Sequence, residues 1–514
     1  MKARRALISA YDTNGLVEFA RQLTDLGVEL VAADGTEQFL RDAGIAVKSV
    51  EEHIGAKALA GAGRVQTMHP KLNEALLWGR SDSGDLDEID EADDLGFDIL
   101  IMNLKPFERV SSRRDSREGD IVEAIDIDGP AIMRAAAKNF ENVLVVADPE
   151  AYPIVIEELR ESGMDPSYEI RKLLASRSFD STAHYELAVA NWFNEIEDFP
   201  TYLLRDYVKM MDLPYGENPH QRGAYYVEVG ARRHLLSMVE QAQGDELTFN
   251  NLNDLNAARG LCGDFTIPAC VIVKHAAPVG CAVSGDIAGA FERALSCDEG
   301  SAYGGVICVN RPVDTDTARA ISERPFDVVL APSYSDEAIA LFAERLPDMR
   351  VLVDGERRKK SPGERDMRRV VGGLLVQDTD LEHEDRDFMD VLTKAQPTEK
   401  QWGDLLFAWR VSKWVRSNAI VLGSELTAVG IGGCNPSRRD GIEFALGKAG
   451  AKAKGAMMAS DAFLGYDDTV QRAIEAGVAG IIQPGGSLRD DEIVELCNAA
   501  GIPMVFTHRR HFRH

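Results

Sequence analysis

Short apolar runs alternate with amphipathic stretches over the first 195 residues. ALISAYD, VELVAAD, FDILIMNL and NVLVVAD read as strands, whereas GLVEFARQLTDLG and TEQFLRDAG carry apolar residues at helical spacing. This alternation predicts an α/β unit with a parallel sheet and helices on both faces. The stretch 116–140 reads as helix, turn, helix, with Lys138 ending the second helix, where a cation suits the dipole. The acidic run 84–94 reads as a solvated loop and helix face. Periodicity breaks at 196–212, which marks a boundary, and 213–226 is loop-like with Pro, Gly and Asn punctuation.

The second half returns to βα logic. CVIV (270–273) reads as a buried strand that ends in Lys274 and His275, followed by a Pro278–Gly280 turn. IAGAFERAL is a helix, VICVN and FDVVLAPS are strands, and 350–373 is a polar, basic loop excursion. The stretch 398–423 is a long amphipathic helix running into a strand. GIIQPGGS, DDEIVELCNAAG and IPMVFT close the chain as strand, helix and strand.

Composition alters this picture little. The 514 residues are 45% hydrophobic and 27% charged, which suits two to four soluble domains. No apolar run of about 18 residues exists, and the N-terminus lacks a signal-peptide pattern, so a cytoplasmic protein with no membrane partner is expected. The net charge of −27 argues against nucleic acid. The seven scattered cysteines have no zinc-site spacing, so no metal is expected and the thiols read as reduced and buried.

Four features carry candidate chemistry. Lys274 and His275 end a strand, where side chains of an open sheet face the ligand crevice. Taken alone, such a pair is more often a surface lysine beside a core histidine. Asn418 precedes an apolar strand. Ser437, Arg438 and Arg439 open a helix after a glycine-rich turn, which suits an anion. QPGGS, containing Gln483 and Gly485, is a glycine loop able to present N–H donors to an oxyanion.

Longer motifs join these features: RVQTMHPKLN, IDIDGPAIMRAAAKN, YGENPHQ, VKHAAPVG, SAYGG, VGGLLVQD, SNAIVL, ASDAF, GIIQPGGS and RHFRH. In this order they resemble, over essentially the whole chain, the bifunctional purine-biosynthesis family that combines 5-aminoimidazole-4-carboxamide ribonucleotide (AICAR) formyltransferase with inosine monophosphate (IMP) cyclohydrolase. The resemblance implies a methylglyoxal-synthase-like, Rossmann-like domain at 1–197. It also implies a transferase domain at 198–514, made of two cytidine-deaminase-like subdomains split near 370–395. It implies a homodimer that takes a nucleotide and 10-formyltetrahydrofolate as co-substrate, with a monovalent cation as a further candidate requirement. Lys274, His275 and Asn418 are the implied catalytic set, with His275 as base, Lys274 at the oxyanion and leaving folate nitrogen, and Asn418 orienting the formyl donor or holding the oxyanion. Tyr215, Gly216, Arg438, Phe463 and Arg510 are implied for nucleotide, and Asp468, Gln483 and Gly485 for folate.

The N-terminal half departs from the family pattern. Thr13 replaces the lysine of the first phosphate loop, Asp34 enters the second, and Gln66 replaces a cyclohydrolase lysine. Lys105 stands for a tyrosine and Asp128 for a glycine, while Arg64, Thr67, Asp126 and Lys138 match. Carboxylates at a phosphate cleft repel a dianion. The expectation is therefore a formyltransferase acting on AICAR or a close analogue, with a cyclohydrolase-like remnant of Arg64, Thr67, Lys105, Asp126 and Lys138. The alternatives are the full bifunctional enzyme and a non-catalytic nucleotide-binding homologue. Pro214 stands where the family carries an arginine, which leaves the choice of nucleotide open, and LGY (464–466) and Arg439 also depart from the pattern.

Overall fold

The computed structural model describes residues 2–55, 69–77, 96–113, 115–194, 198–229, 238–355, 365–381 and 385–514. They fall into two compact units, Met1–Asp206 and Tyr207–His514.

In the first unit β1 (Arg5–Ala10), β2 (Glu29–Ala32), β3 (Lys48–Ser49), β4 (Ile99–Asn103) and β5 (Leu144–Val146) form one sheet in the order β3-β2-β1-β4-β5. Every pairing is parallel, as the βα alternation predicts. Successive strand residues point to opposite faces, so both faces need cover. Ile8 packs with Leu16 and Phe19 of the helix Leu16–Asp25, while Leu7 packs with Ile132 and Met133 of the helix Asp128–Lys138. Glu29 brackets the sheet edge: Arg5 Nε lies 2.7 Å away and Lys48 pairs with its other oxygen. The stretch 116–140 forms the helices Glu118–Glu123 and Asp128–Lys138, as expected. The acidic run 84–94 lies outside the described residues.

The second unit opens with an antiparallel ribbon, β6 (Tyr207–Leu213) and β7 (Gly223–Glu228). Then come β8 (Glu240–Gln243), β9 (Ala269–Lys274), β10 (Ala277–Val283), β11 (Val306–Val309), β12 (Val328–Ala331) and β13 (Arg350–Val353). An antiparallel hairpin, β14 (Arg365–Val370) and β15 (Gly373–Asp378), follows. The polar excursion expected at 350–373 is thus partly strand, because a ribbon satisfies its own backbone without an apolar face. Next are β16 (Asp390–Val391), β17 (Ile420–Ser424), β18 (Thr427–Gly432), β19 (Met457–Ser460), β20 (Gly480–Gln483) and β21 (Met504–Phe506). Twelve of these strands form one mixed sheet, β16-β21-β20-β19-β17-β18-β10-β9-β11-β12-β13-β8.

This sheet is built from two like halves that meet where β10 pairs with β18. Each half runs helix, β-hairpin, helix, then strands that alternate with helices. The leading helices, Phe249–Gly263 and Glu399–Ser412, both start with capping boxes, at Thr248 and Thr398. A Cβ at Gly280 would collide with the carbonyl of Ala294, and one at Gly430 with that of Ala445, so in both halves a glycine lets a helix lie on the hairpin. Leu255, Val271 and Leu352 of the first half share one buried cluster with Trp409, Val421 and Val505 of the second.

Candidate active site in the second unit

The hairpin β9–β10 turns at His275 and Ala276, both left-handed with φ of 53° and 57°. The turn therefore falls before Pro278–Gly280, which instead lies within β10 at a register shift. Asp254 holds the turn: its carboxylate accepts the N–H of His275 at 3.1 Å and of Ala276 at 2.5 Å. Burial pushes this carboxyl up, against the pull of those two N–H groups and of His275 and Lys274. The strand ends at Lys274, so Lys274 and His275 are free of the face alternation that would separate them. His275 is exposed and Lys274 half-buried. Lys274 Nζ donates to the carbonyl of Tyr303 and lies 5.9 Å from that ring's centroid. Asp327 lies within the field of Lys274 and of Arg350, both of which oppose the rise that burial gives its carboxyl.

Strand register gathers the other residues at this end of the sheet. β18 runs antiparallel to β10, so its far end lies beside the start of β10. β17 begins there, and Ile420 pairs with Gly432 and with Ser460, the last residue of β19. Asn418, Arg438, Ser460 and Asp461 therefore cluster at the sheet end that carries Lys274 and His275. β20 and β21 run parallel to β19 and bring Gln483 and the 507–514 tail there too. Tyr303 precedes β11 and Asp327 precedes β12, whose first residues pair at that same end.

Asn418 Nδ2 donates to the carbonyls of Asn435 at 2.9 Å and Pro436 at 3.1 Å. The reverse amide orientation would set oxygen against oxygen, so this one is fixed. What Asn418 presents is then its carbonyl oxygen, an acceptor, and the expected oxyanion-holding role does not fit it. Arg438 is held by Asp461 at 3.2 Å and lies 5.8 Å from the ring centroids of both Phe463 and Phe512. Arg510 stacks on Phe512 at 4.5 Å. A half-buried arginine, Arg438, and an exposed one, Arg510, with two aromatic faces suit a planar, anionic ligand. Tyr215 and Gly216 lie in the loop between β6 and β7, where Gly216 N–H donates to Gln221 O at 2.7 Å. The same loop is tied to the helix Phe249–Gly263 by Asn250, which donates to Glu217 O at 3.3 Å.

The glycine loop behaves differently from the expectation. The N–H groups of Gly486 and Ser487 both donate to Asp490 Oδ2, at 2.7 and 3.1 Å, so an internal carboxylate occupies them. Gln483 is fully buried, and its oxygen accepts Leu464 N–H at 2.7 Å. Its part is to shape the 463–466 loop. Gly485 has φ of 73°, and a Cβ there would collide with the Phe506 ring. Asp468 pairs with Arg439 at 3.4 Å on an exposed surface. Sequence reasoning missed Asp254, Asp327, Asp461 and Phe512. Asp254 and Asp327 lie far from the motifs in sequence, while Asp461 and Phe512 sat inside ASDAF and RHFRH.

In the first unit, burial raises the Asp126 carboxyl, and Asp128 beside it adds to the rise. Asp126 accepts Gly129 N–H at 3.1 Å and Lys105 N–H at 3.4 Å, and its own N–H donates to Tyr185 Oη at 2.6 Å. Lys105 and Lys138 are exposed. Arg64, Gln66, Thr67 and the side chain of Asp34 lie outside the described residues. Six of the seven cysteines are buried, but Cys434 is exposed, unlike the uniform burial expected. Among the described residues no helix is long and apolar enough to cross a membrane, and no cluster of three metal-ligating side chains occurs. A cleft of about 560 Å³ is lined by Asp378, Asp380, Asp385, Phe388 and Arg509 among others. Its carboxylates suit an anionic ligand poorly.

The fold and site define an α/β protein with a strand-end Lys–His pair beside an arginine and aromatic cradle. Comparison with known proteins places that class. Residues 136–448 match the AICARFT/IMPCHase bienzyme family and residues 15–131 the MGS-like domain. The chain is 39% identical over 518 aligned positions to the bifunctional purine biosynthesis protein PurH of Oceanobacillus iheyensis, covering 100% of both chains. The crystal structure of ForH is 31% identical over 37% of this chain and 98% of that one, with a TM-score of 0.33. The chain belongs to the AICARFT/IMPCHase bienzyme family.

Proposed function

We propose that the second unit transfers a formyl group from 10-formyltetrahydrofolate to the amine of AICAR. The observation that carries this reading is the turn that puts Lys274 and His275 at the sheet end shared by Asn418, Arg438 and Arg510. The amine of an aminoimidazole carboxamide is a weak nucleophile, because its lone pair is delocalised. As it attacks the formyl carbon, a proton must leave. His275, exposed on a fixed turn, is the base, a role that contributes roughly 10²–10⁴-fold. Lys274 stabilises the developing oxyanion and returns a proton to the departing folate nitrogen. The Asn418 oxygen accepts an N–H of the nucleotide and so orients the amine. Arg438 and Arg510 meet the nucleotide's anionic and planar parts. Asp468 borders the folate side.

The whole-length likeness to a bifunctional relative supports ring closure in the first unit better than its loss. The second reading, transferase alone, is favoured by one observation: Asp128 stands beside the buried Asp126 carboxyl, and two neighbouring carboxylates oppose an anionic nucleotide. A homodimer fits the exposed apolar residues Val371, Leu374 and Leu375 of the β14–β15 hairpin, and light scattering reads it directly.

One assay separates these readings. Purified protein receives AICAR and 10-formyltetrahydrofolate, and products are weighed by mass spectrometry. Formyl-AICAR and IMP differ by one water. IMP supports the bifunctional reading, accumulation of formyl-AICAR supports transferase alone, and no product from AICAR rejects the transferase proposal for that nucleotide.

A further inference from the structure

We propose that Asp461 is a positioning residue for formyl transfer, its buried carboxylate locking Asn418 and Arg438 into one frame. The inference rests on the transferase reading above. Asp461 follows β19 and is fully buried. One carboxylate oxygen accepts the hydroxyl of Ser417, and the other accepts Arg438 Nη2 at 3.2 Å. Its backbone is committed as well, with its N–H donating to Ala419 O at 3.2 Å and its carbonyl accepting His511 N–H at 2.9 Å. Ser417 in turn clasps the tail: its N–H donates to Arg513 O at 2.8 Å and its Oγ accepts Arg513 N–H at 3.2 Å.

Three separate segments thus converge on one residue: the carboxylate takes the residue before Asn418 and the nucleotide-facing arginine, and the main-chain carbonyl takes the tail that bears Arg510. A buried ion pair adds little net stability, since desolvation offsets attraction. Its effect here is geometric. The Ser417 hydroxyl has no freedom to rotate away, so the adjoining Asn418 amide keeps its angle to the reacting amine. Arg438 is gripped from the side by Asp461 and by Ser460 Oγ at 3.3 Å. A displacement of about 1 Å at such a site costs up to 100-fold in rate.

The test compares the full-length protein with Asp461→Asn, Ser417→Ala, the double variant and Ser417→Thr. Wild-type turnover of AICAR with 10-formyltetrahydrofolate is measured first, since its absence overturns the transferase reading itself. With wild type active, each single substitution is expected to lower kcat about 10- to 100-fold; AICAR binding by calorimetry changes less than threefold in Ser417→Ala, whereas Asp461→Asn, which also releases Arg438, weakens it further. The double variant is expected to be no slower than the slower single, because both break one linkage. Ser417→Thr restores kcat. Ser417→Ala, a half-buried position, keeps the test open if Asp461→Asn does not fold. Unchanged kcat in Ser417→Ala, or additive losses in the double variant, overturns the positioning role.

Discussion

At the scale of the residue, function turns on backbone geometry as much as on side-chain type. His275 and Ala276 adopt left-handed φ values that non-glycine residues seldom take. Asp254 compensates by accepting both their N–H groups. The result is an imidazole that projects into solvent beside an ammonium anchored on Tyr303. His275→Ala is expected to lower formyl transfer by roughly 10²–10⁴-fold with AICAR binding intact, as stopped-flow assay and calorimetry together reveal. An unchanged rate rejects His275 as the base. Asn418 shows how hydrogen-bond direction restricts a role: with both N–H groups committed to carbonyls, only its acceptor side faces a ligand.

At the scale of the element, the two hairpins of the second unit form an internal control. Asp404 accepts Leu426 N–H at 2.7 Å, as Asp254 does for the first turn, and Glu425 and Leu426 share the φ values 53° and 57°. Only the first turn carries Lys and His; the second has Ser424 and Glu425 in their place, with Glu425 paired to Lys400 at 3.0 Å. Asp254→Ala leaves two turn N–H groups, and Asp404→Ala one, without the carboxylate that accepts them, a loss of about 1–3 kcal/mol in stability read from denaturant unfolding. Turnover is expected to fall at least tenfold for Asp254→Ala alone. Equal losses of rate in both variants contradict the assignment of the first turn.

The edge of the first sheet supplies a pH test. Lys48, with Arg5, holds the Glu29 carboxyl down to about 2. A depressed carboxyl contributes stability above its unfolded value near 4.5 and loses it as pH falls through the folded value of about 2. Glu29→Gln is expected to cost about 1 kcal/mol at pH 7, allowing for solvent screening of a partly exposed site. Thermal midpoints of wild type and variant converge as pH drops from 4.5 towards 2. A gap that persists at the acid end excludes this ion cluster as its source.

At the scale of the whole molecule, the twelve-stranded sheet makes two like halves into one body. β10 and β18 pair across the seam, and one buried cluster draws on strands from both sides. Native-state hydrogen exchange is expected to give β9–β10 and β17–β18 the same opening free energy. A separate, weaker transition for either hairpin refutes the shared core. The first unit has its own sheet and its own clusters. Its chemistry is decided by product identity, as set out above.

Sequence alone determined the local and repetitive features. The βα alternation specified a parallel sheet because strands buried on both faces must be continuously apolar. The motifs named Lys274, His275 and Asn418, because reactive side chains at strand ends interrupt apolar runs. Tertiary structure decided what these residues meet. Asp254 reaches His275 from a preceding helix, Asp461 reaches Ser417 and Arg438 from the end of another strand, and neither pairing has a sequence period. It also decided which donors are spent: Gly486 and Ser487 look available in QPGGS, yet Asp490 takes both. Pairing across a sheet depends on register between distant strands. A linear pattern records which face a residue takes and leaves unrecorded the neighbour that satisfies its hydrogen bonds.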